Sequence, residues 1–218
     1  MKPSVLIVGA SRGIGLGFAR SYAADGWKVH ATTRNIAKPG ELGEVPGDVT
    51  LYELDVVNGA QIGALAQAFS NRSLDVLIHN AGIRGDGMPR AAVMRVNAEA
   101  PFEVVGALLP AVERGGMKKI AILTSQMGAR HGGRPPSGTY GASKCALNDR
   151  FREIEPEWRA RGVAAVVFHP GWVKTDMGGS SAPISVRDSV AGMRREIEQL
   201  NPEKSGSFLT WKGVVHPW

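Results

Sequence analysis

The stretch SVLIVGASRGIG, residues 4–15, decides the fold of this chain. Residues 4–10 form an uncharged, mainly apolar run, which predicts a buried β-strand. Gly9, Gly13 and Gly15 follow in this stretch, and a helical pattern continues to residue 26. Gly9 permits a tight turn, while Gly13 and Gly15 let the backbone approach a pyrophosphate and let the helix pack on the sheet. The stretch therefore favours a nucleotide site at the helix N-terminus over a plain glycine-rich turn.

Downstream, short apolar runs alternate with longer helical patterns. Further strands are predicted at residues 28–33, 49–56, 74–82, 118–125, 163–171 and 207–210. Helices are predicted at residues 15–26, 60–69, 91–114, 140–161 and 186–200. Continuous apolar strands that alternate with helices indicate a parallel sheet covered on both faces. We therefore predict an α/β protein in which residues 1–218 form a single-domain Rossmann fold, with a doubly wound, mostly parallel sheet of seven strands.

The composition narrows the class of protein. Hydrophobic residues make up 43% of the 218 residues, which is enough for a folded core. Cys145 is the only cysteine, so no internal disulfide can form, and we expect a reducing, cytoplasmic location. No apolar run approaches the ~20 residues of a membrane span, and the first residues do not resemble a signal peptide. The net charge of +6 comes from scattered basic residues, so we expect no nucleic-acid partner.

The segment TYGASK, residues 139–144, places Tyr140 and Lys144 four residues apart. On a helix these two positions share one face. A lysine ammonium beside a phenol favours the phenolate, which would lower the Tyr140 pKa and make this tyrosine a proton donor near neutral pH. An ordinary helix surface with a solvated lysine has the same spacing, so this segment alone leaves both interpretations open.

Five motifs in a fixed order carry a resemblance to a known family. They are GASRGIG at residues 9–15, NAG at 80–82, TSQMG at 124–128, YGASK at 140–144 and HPGWVKT at 169–175. Together they resemble the short-chain dehydrogenase/reductases over nearly the whole chain. The segments FHPGWVKTDMGG, VNAEAPF and SGSFLTWKG are similar to the C-factor and sniffer-type carbonyl reductase branch. The resemblance implies an oxidoreductase that transfers hydride between a nicotinamide cofactor and a carbonyl or alcohol.

The resemblance also implies roles for four candidate catalytic residues. Tyr140 would donate a proton to the substrate carbonyl oxygen as hydride arrives at carbon, or accept it in the reverse reaction. Ser125 would hydrogen-bond and orient the same oxygen, and Lys144 would lower the tyrosine pKa and hold the ribose of the nicotinamide half. Asn97 would hold, on its main-chain carbonyl, a water that leads to the lysine and resupplies protons.

Pro101 provides an independent argument about Asn97. It stands four residues later and has no N–H, so the Asn97 carbonyl lacks its usual helical donor. A kinked helix without catalytic purpose would have the same pattern. The presence of Ser125, Tyr140 and Lys144 in the same chain favours the functional interpretation.

The end of the second predicted strand bears on the choice of cofactor. NAD sites normally have an acidic residue there, but this chain has Thr33 followed by Arg34. Arg12 lies in the glycine loop, and two guanidinium groups could hold a 2′-phosphate by charge-assisted bonds. The alternative is that both arginines are solvated surface residues. We expect NADP(H) to be favoured, with NAD(H) possible.

The remaining cofactor positions follow from the resemblance, which places Asp55 near the adenine. The full predicted set is Gly9, Ser11, Arg12, Gly13, Ile14, Gly15, Thr33, Arg34, Asp55, Val56, Asn80, Ala81, Gly82, Tyr140, Lys144, Pro170, Gly171, Val173 and Thr175. No metal site is expected, because the five histidines are dispersed without ligand spacing.

The expected partners are a small-molecule carbonyl or alcohol and further copies of the chain, in a homo-oligomer that is a dimer or a tetramer. The segment from residue 82 to 97 and the stretch after Gly171 are short, which favours an open cleft that accepts many ketones or aldehydes. Relatives of C-factor are associated with intercellular signalling. A signalling or regulatory protein that binds the cofactor with little need for turnover is therefore the alternative function.

Overall fold

The computed structural model describes residues 2–132 and 136–218. Its centre is a sheet of seven strands in the order β3-β2-β1-β4-β5-β6-β7, in which every neighbouring pair is parallel. The strands are β1 (Ser4–Val8), β2 (Lys28–Thr33), β3 (Val49–Glu53), β4 (Val76–His79), β5 (Lys119–Leu123), β6 (Ala164–His169) and β7 (Ser207–Thr210). The strand order reverses between β1 and β4, and open α/β sheets bind ligands at such a point. The predicted Rossmann fold is confirmed.

Helices cover both faces of the sheet. They are α1 (Gly13–Ala24), α2 (Gly59–Ala68), α3 (Arg90–Met94), α4 (Ala100–Glu113), α5 (Gly138–Ala160) and α6 (Val186–Glu198). Apolar side chains of α1 and α6 pack in the core on one face, and those of α2, α4 and α5 pack in the core on the other. Within the described part of the chain, no helix combines the length and the hydrophobicity that crossing a bilayer requires.

Several strands end earlier than the sequence predicts. β1 ends at Val8, since Gly9 has a φ of +82°, which lies outside the β region and suits glycine. β4 ends at His79, because the N–H groups of Asn80 and Ala81 both donate to the Val8 carbonyl at 3.0 and 2.9 Å. The chain thus leaves the β5 ladder at this point, and the residues beyond each strand form the loops of a cleft.

The helix predicted over residues 91–114 contains a π turn, Arg95–Glu99, between α3 and α4. The Ala100 N–H donates to the Arg95 carbonyl, five residues back instead of four. Pro101 has no N–H to offer to the Asn97 carbonyl, so an α-helical bond is impossible there. Single π turns occur frequently at functional sites, and this one carries Asn97.

Candidate active site

A cleft of about 580 Å³ lies at the carboxyl ends of the strands, where the strand order reverses. It is lined by most of the predicted cofactor residues, namely Gly9, Ser11, Arg12, Gly13, Ile14, Thr33, Arg34, Asp55, Val56, Asn80, Ala81, Gly82, Tyr140, Lys144, Pro170 and Thr175. The structure therefore brings together residues from the whole length of the chain.

The other predicted site residues adjoin the cleft without being among its lining residues. A Cβ at Gly15 would collide with the Gly9 carbonyl, and one at Gly171 would collide with the side chain of Ile184. Val173 is 4% exposed, so it supports the loop after β6 from within. Ser125 and Asn97 are also buried, beside the lining residues Thr124 and Val96.

Sequence reasoning missed the apolar part of the lining. This part includes Ile83, Met88, Ala92, Val96 and Met177. Met88 and Met177 remain 46% and 43% exposed, so they form the open rim of the cleft. Val96 and Met177 lie in segments that carry the family resemblance, but only the position of these five residues in the fold identifies them as lining residues.

The glycine loop closes tightly on the strand next to β1. A Cβ at Gly9 would lie 2.8 Å from the Ala81 Cα atom, and the Asn80 side chain donates to the Gly9 carbonyl at 2.6 Å. At Gly13, a Cβ would approach the Thr175 side chain to 3.2 Å. Residue 12 caps α1 without a side-chain bond, which leaves the first N–H groups of this helix available to an anion.

The end of the cleft beside β2 has exposed cations and no acid at the strand end. Thr33 is buried, and Arg34 follows it on the surface of the cleft. Arg12 forms an ion pair with Asp176 at 2.9 Å, and the two side chains are 72% and 74% exposed. The pair joins the glycine loop to the loop after β6, which sequence reasoning did not anticipate. The Asp55 carboxylate accepts from the N–H of Val57, two residues later, at 3.2 Å.

At the opposite end, Ser125 and Tyr140 lie together. Ser125 follows β5 and caps a short 3-10 helix, Gln126–Gly128, by accepting from the Met127 N–H at 3.1 Å. This bond holds the serine hydroxyl in place. The same hydroxyl interacts with the phenol of Tyr140 and lowers its pKa.

The sequence predicts a lowered pKa for Tyr140, and the direction of this prediction is wrong. Burial raises this pKa above its usual value, and the interaction with Ser125 and the positive charge of Arg84 oppose the rise only in part. The Lys144 Nζ lies 5.9 Å from the centre of the Tyr140 ring. The loss of water around the phenol outweighs the charges near it.

Lys144 lies on the inner face of α5 and is 4% exposed. Its Nζ donates to the Leu123 carbonyl at the end of β5, at 3.0 Å. Burial lowers the Lys144 pKa to about 8, because the ammonium loses its hydration. At neutral pH the lysine is therefore still mainly charged, but by a small margin.

The Asn97 side chain makes three hydrogen bonds. Its amide nitrogen donates to the Ile83 carbonyl at 2.8 Å and to the Ser143 hydroxyl at 3.0 Å, and its Oδ1 accepts from the Ile83 N–H at 2.9 Å. Ser143 in turn donates to the Tyr140 carbonyl at 2.7 Å. Sequence reasoning missed Ser143, whose place three residues after Tyr140 is the available signal for this local bond.

Proteins of known structure resemble this chain over its whole length. The NADPH-bound carbonyl reductase from chicken fatty liver has 31% identical residues and a TM-score of 0.86, and the match covers 100% of both chains. Carbonyl reductase Sniffer of D. melanogaster has 27% identical residues and a TM-score of 0.89, again over 100% of both chains. In sequence, C-signal of Myxococcus xanthus is 40% identical over 154 residues, which are 66% of this chain and 93% of that protein.

These likenesses agree with the motifs and confirm the resemblance to the C-factor and sniffer-type branch. The family model for short chain dehydrogenase matches residues 3–183, which include the glycine loop, the buried Asn97, and the Ser125, Tyr140 and Lys144 cluster. The chain belongs to the short chain dehydrogenase family of oxidoreductases.

Proposed function

We propose that this chain is an NADPH-dependent reductase that transfers hydride to the carbonyl of a small-molecule ketone or aldehyde. The observation that carries the proposal is the placement of Tyr140 and Lys144, one helical turn apart on α5, on the wall of a glycine-lined cleft. Ser125 lies beside the Tyr140 phenol and completes a set of groups that can bind and protonate a carbonyl oxygen.

The cleft suits an extended dinucleotide. The loop before α1 has no side-chain cap, and a Cβ at Gly9 would fill the space next to Ala81, so the backbone can approach a pyrophosphate closely. Arg12 and Arg34 lie at the β2 end and Lys144 at the other, which matches a phosphate at one end and a ribose at the other. When bound there, NADPH supplies the hydride.

The β2 end favours NADPH over NADH. Thr33 replaces the carboxylate that would bond a free 2′-hydroxyl, and it would not repel a 2′-phosphate. Arg34 and Arg12 provide guanidinium groups that suit a phosphate. The similar carbonyl reductase from chicken has NADPH bound, which supports the same choice here.

The end of the cleft that contains Ser125, Tyr140 and Lys144 is called the reacting end. Each polar residue there has a role that its surroundings support. Ser125 orients the substrate oxygen by donating a hydrogen bond. Burial raises the pKa of Tyr140, so its hydroxyl keeps at neutral pH the proton that passes to the substrate oxygen. The positive charge of Lys144 stabilises the phenolate that remains. The Asn97 carbonyl, which Pro101 cannot bond, holds the water through which the phenolate regains a proton.

C-signal of Myxococcus xanthus supports a second candidate, a cofactor-binding signalling or regulatory protein with little need for turnover. This candidate does not require the polar groups at the reacting end. Ser125, Tyr140, Lys144 and Asn97 are all present and packed together, and we therefore favour the enzyme.

The test is an assay of NADPH and NADH oxidation against a panel of ketones and aldehydes of different size, charge and polarity. We expect turnover with several apolar carbonyl compounds and a lower KM for NADPH than for NADH. Binding of each cofactor is measured separately by fluorescence. Tight NADPH binding without turnover on any member of the panel would favour the signalling candidate, and absence of binding would refute both.

A further inference from the structure

His79, the last residue of β4, has a buried ring nitrogen that forms no hydrogen bond with the described part of the chain. The residue is 1% exposed, and its Nε2 has no hydrogen-bond partner among the described residues. A buried polar atom without a partner is costly, so each one in a folded protein calls for a function or a bound water. The proposed mechanism does not use this ring.

The fold places His79 beside the reacting end of the cleft. Side chains alternate along a strand, so His79 shares a face of the sheet with Leu77, which packs with α4 and α5. In the ladder, His79 pairs with Ile122, the neighbour of the Leu123 whose carbonyl accepts from Lys144. Three residues after His79, a Cβ at Gly82 would lie 3.5 Å from Lys144 Nζ. The ring and the ammonium therefore both lie at the carboxyl ends of β4 and β5, where the charge of Lys144 acts on His79.

Lys144 is the natural donor for this nitrogen. An ammonium has three N–H groups, and among the described residues the Leu123 carbonyl is the acceptor for one of them. Burial alone shifts its pKa downward, and no carboxylate of the described residues acts on it. The titratable groups that face it are Tyr140 from its own helix and His79 from β4, while the π turn adds the uncharged Asn97 amide.

The state of the His79 ring suits the role of acceptor. Burial and the charge of Lys144 lower the His79 pKa to about 3, so the imidazole is neutral in the working range of pH. The backbone at His79 acts in the opposite direction and raises this pKa. We assign the ring proton to Nδ1, because Nε2 is the buried ring nitrogen without a partner among the described residues, and the lone pair is then on Nε2.

We propose that His79 is a positioning residue for Lys144, and that its Nε2 lone pair stabilises the lysine ammonium through one bound water. The water accepts from a lysine N–H and donates to Nε2, because the nitrogen has no direct protein partner. A hydrogen bond that favours the charged form raises a lysine pKa. His79 thereby helps to keep Lys144 charged near neutral pH. The catalytic meaning of this inference rests on the proposed function, whereas the water-mediated interaction between His79 and Lys144 does not depend on it.

The test measures the ionisation of Lys144 directly, by NMR titration of its 13Cε signal in the full chain, assigned by loss of the signal in Lys144→Met. In His79→Leu the acceptor is gone, and the Lys144 pKa should fall by roughly one pH unit, which is tenfold in the ionisation constant. His79→Gln retains an acceptor at about the reach of Nε2, and its lysine should titrate as in the wild type. The alkaline limb of kcat for carbonyl reduction should follow the same order, with KM little changed.

His169 provides a matched control. Its Nδ1 is also buried without a partner among the described residues, but the charge that acts on the ring is that of His216 rather than Lys144. His169→Leu should leave the Lys144 pKa unchanged. If His79→Leu does not fold, His79→Phe provides a larger apolar side chain that also lacks the nitrogen lone pair.

An unchanged Lys144 pKa in the apolar His79 variants would overturn the proposal, and so would an equal fall in His79→Gln or in His169→Leu. If the Lys144 pKa values change as expected but the wild type reduces no carbonyl, the proposed function is refuted, and the interaction between His79 and Lys144 is still supported.

Discussion

The two ends of the cleft contain cations in opposite environments. At the β2 end, Arg12 is 72% exposed and forms an exposed ion pair with Asp176. At the reacting end, Lys144 is 4% exposed and donates to a backbone carbonyl, and burial lowers its pKa to about 8. Water screens charges at the first end, whereas at the second every missing hydrogen bond changes the protonation of a group. Cofactor choice should therefore respond gradually to mutation and salt, and chemistry should respond sharply to single atoms.

The largest effect is expected at the buried end. Tyr140→Phe removes one hydroxyl and with it the proton donor, so turnover should fall by roughly 10²-fold or more, the scale of general acid catalysis. NADPH affinity should change little. Tyr52→Phe is the matched control, since its hydroxyl bonds His30 and Arg72 away from the cleft. Steady-state kinetics and NADPH titration check both variants, and wild-type turnover in Tyr140→Phe would contradict the assignment.

At the exposed end, replacing Thr33 by Asp and Arg34 by Gln should reverse the cofactor preference. Each charge-assisted contact to the 2′-phosphate contributes about 1.5–3 kcal/mol, or roughly 10- to 100-fold in affinity. The new carboxylate would bond the free 2′-hydroxyl of NADH and repel a phosphate. The measurement is the Kd of both cofactors at one ionic strength.

Arg20→Gln is the control for this double variant, because Arg20 is an exposed arginine that pairs with Glu41 outside the cleft. It should keep the wild-type preference. A wild type that already prefers NADH, or a double variant that still prefers NADPH, would show that Arg12 and Arg34 are ordinary surface residues.

A smaller effect is expected from Pro101→Ala at the π turn. The new N–H can bond the Asn97 carbonyl and displace the relay water, so proton resupply should slow more than hydride transfer. We expect turnover to fall by roughly tenfold or less, because the relay supports general acid catalysis without replacing it. Single-turnover hydride transfer and the solvent isotope effect on kcat separate the two steps. Pro110→Ala, within the same helix α4, should leave both unchanged. Equal kinetics in all three proteins would count against the relay.

The smallest effect concerns the ion pair across the cleft. Asp176→Asn frees Arg12 for the 2′-phosphate, and NADPH should bind roughly two- to fivefold more tightly at low salt, since exposed pairs contribute about 0.2–1 kcal/mol. NADH affinity should stay constant, and the gain should fade as salt is added. Glu41→Gln frees Arg20 outside the cleft, and it should change neither the NADPH affinity nor its dependence on salt. Weaker NADPH binding in Asp176→Asn would mean that the carboxylate supports the phosphate site instead of competing for Arg12.

Much of the fold could be predicted because its signals are local. β2, with the sequence KVHATT, and β7, with the sequence SFLT, have the predicted bounds. β4 is shorter than predicted because two successive N–H groups, of Asn80 and Ala81, donate to one carbonyl of β1, which no pattern within residues 74–82 encodes. The π turn was visible only as the missing N–H of Pro101.

By itself, the sequence determined the order of strands and helices, the glycine loop and the identity of the side chains that can do chemistry, because hydrophobic period and backbone freedom act over a few residues. Only the tertiary structure decided the pKa values and the contacts of these side chains. It raised the Tyr140 pKa where spacing to Lys144 predicted a fall, joined Asn97 to Ser143 across 46 positions, and set Arg12 against Asp176 across 164. It also left the buried Nε2 of His79 without a partner among the described residues, where the charge of Lys144 acts on the ring. Desolvation and contacts depend on what surrounds an atom in space, and that environment comes from residues far away in the chain.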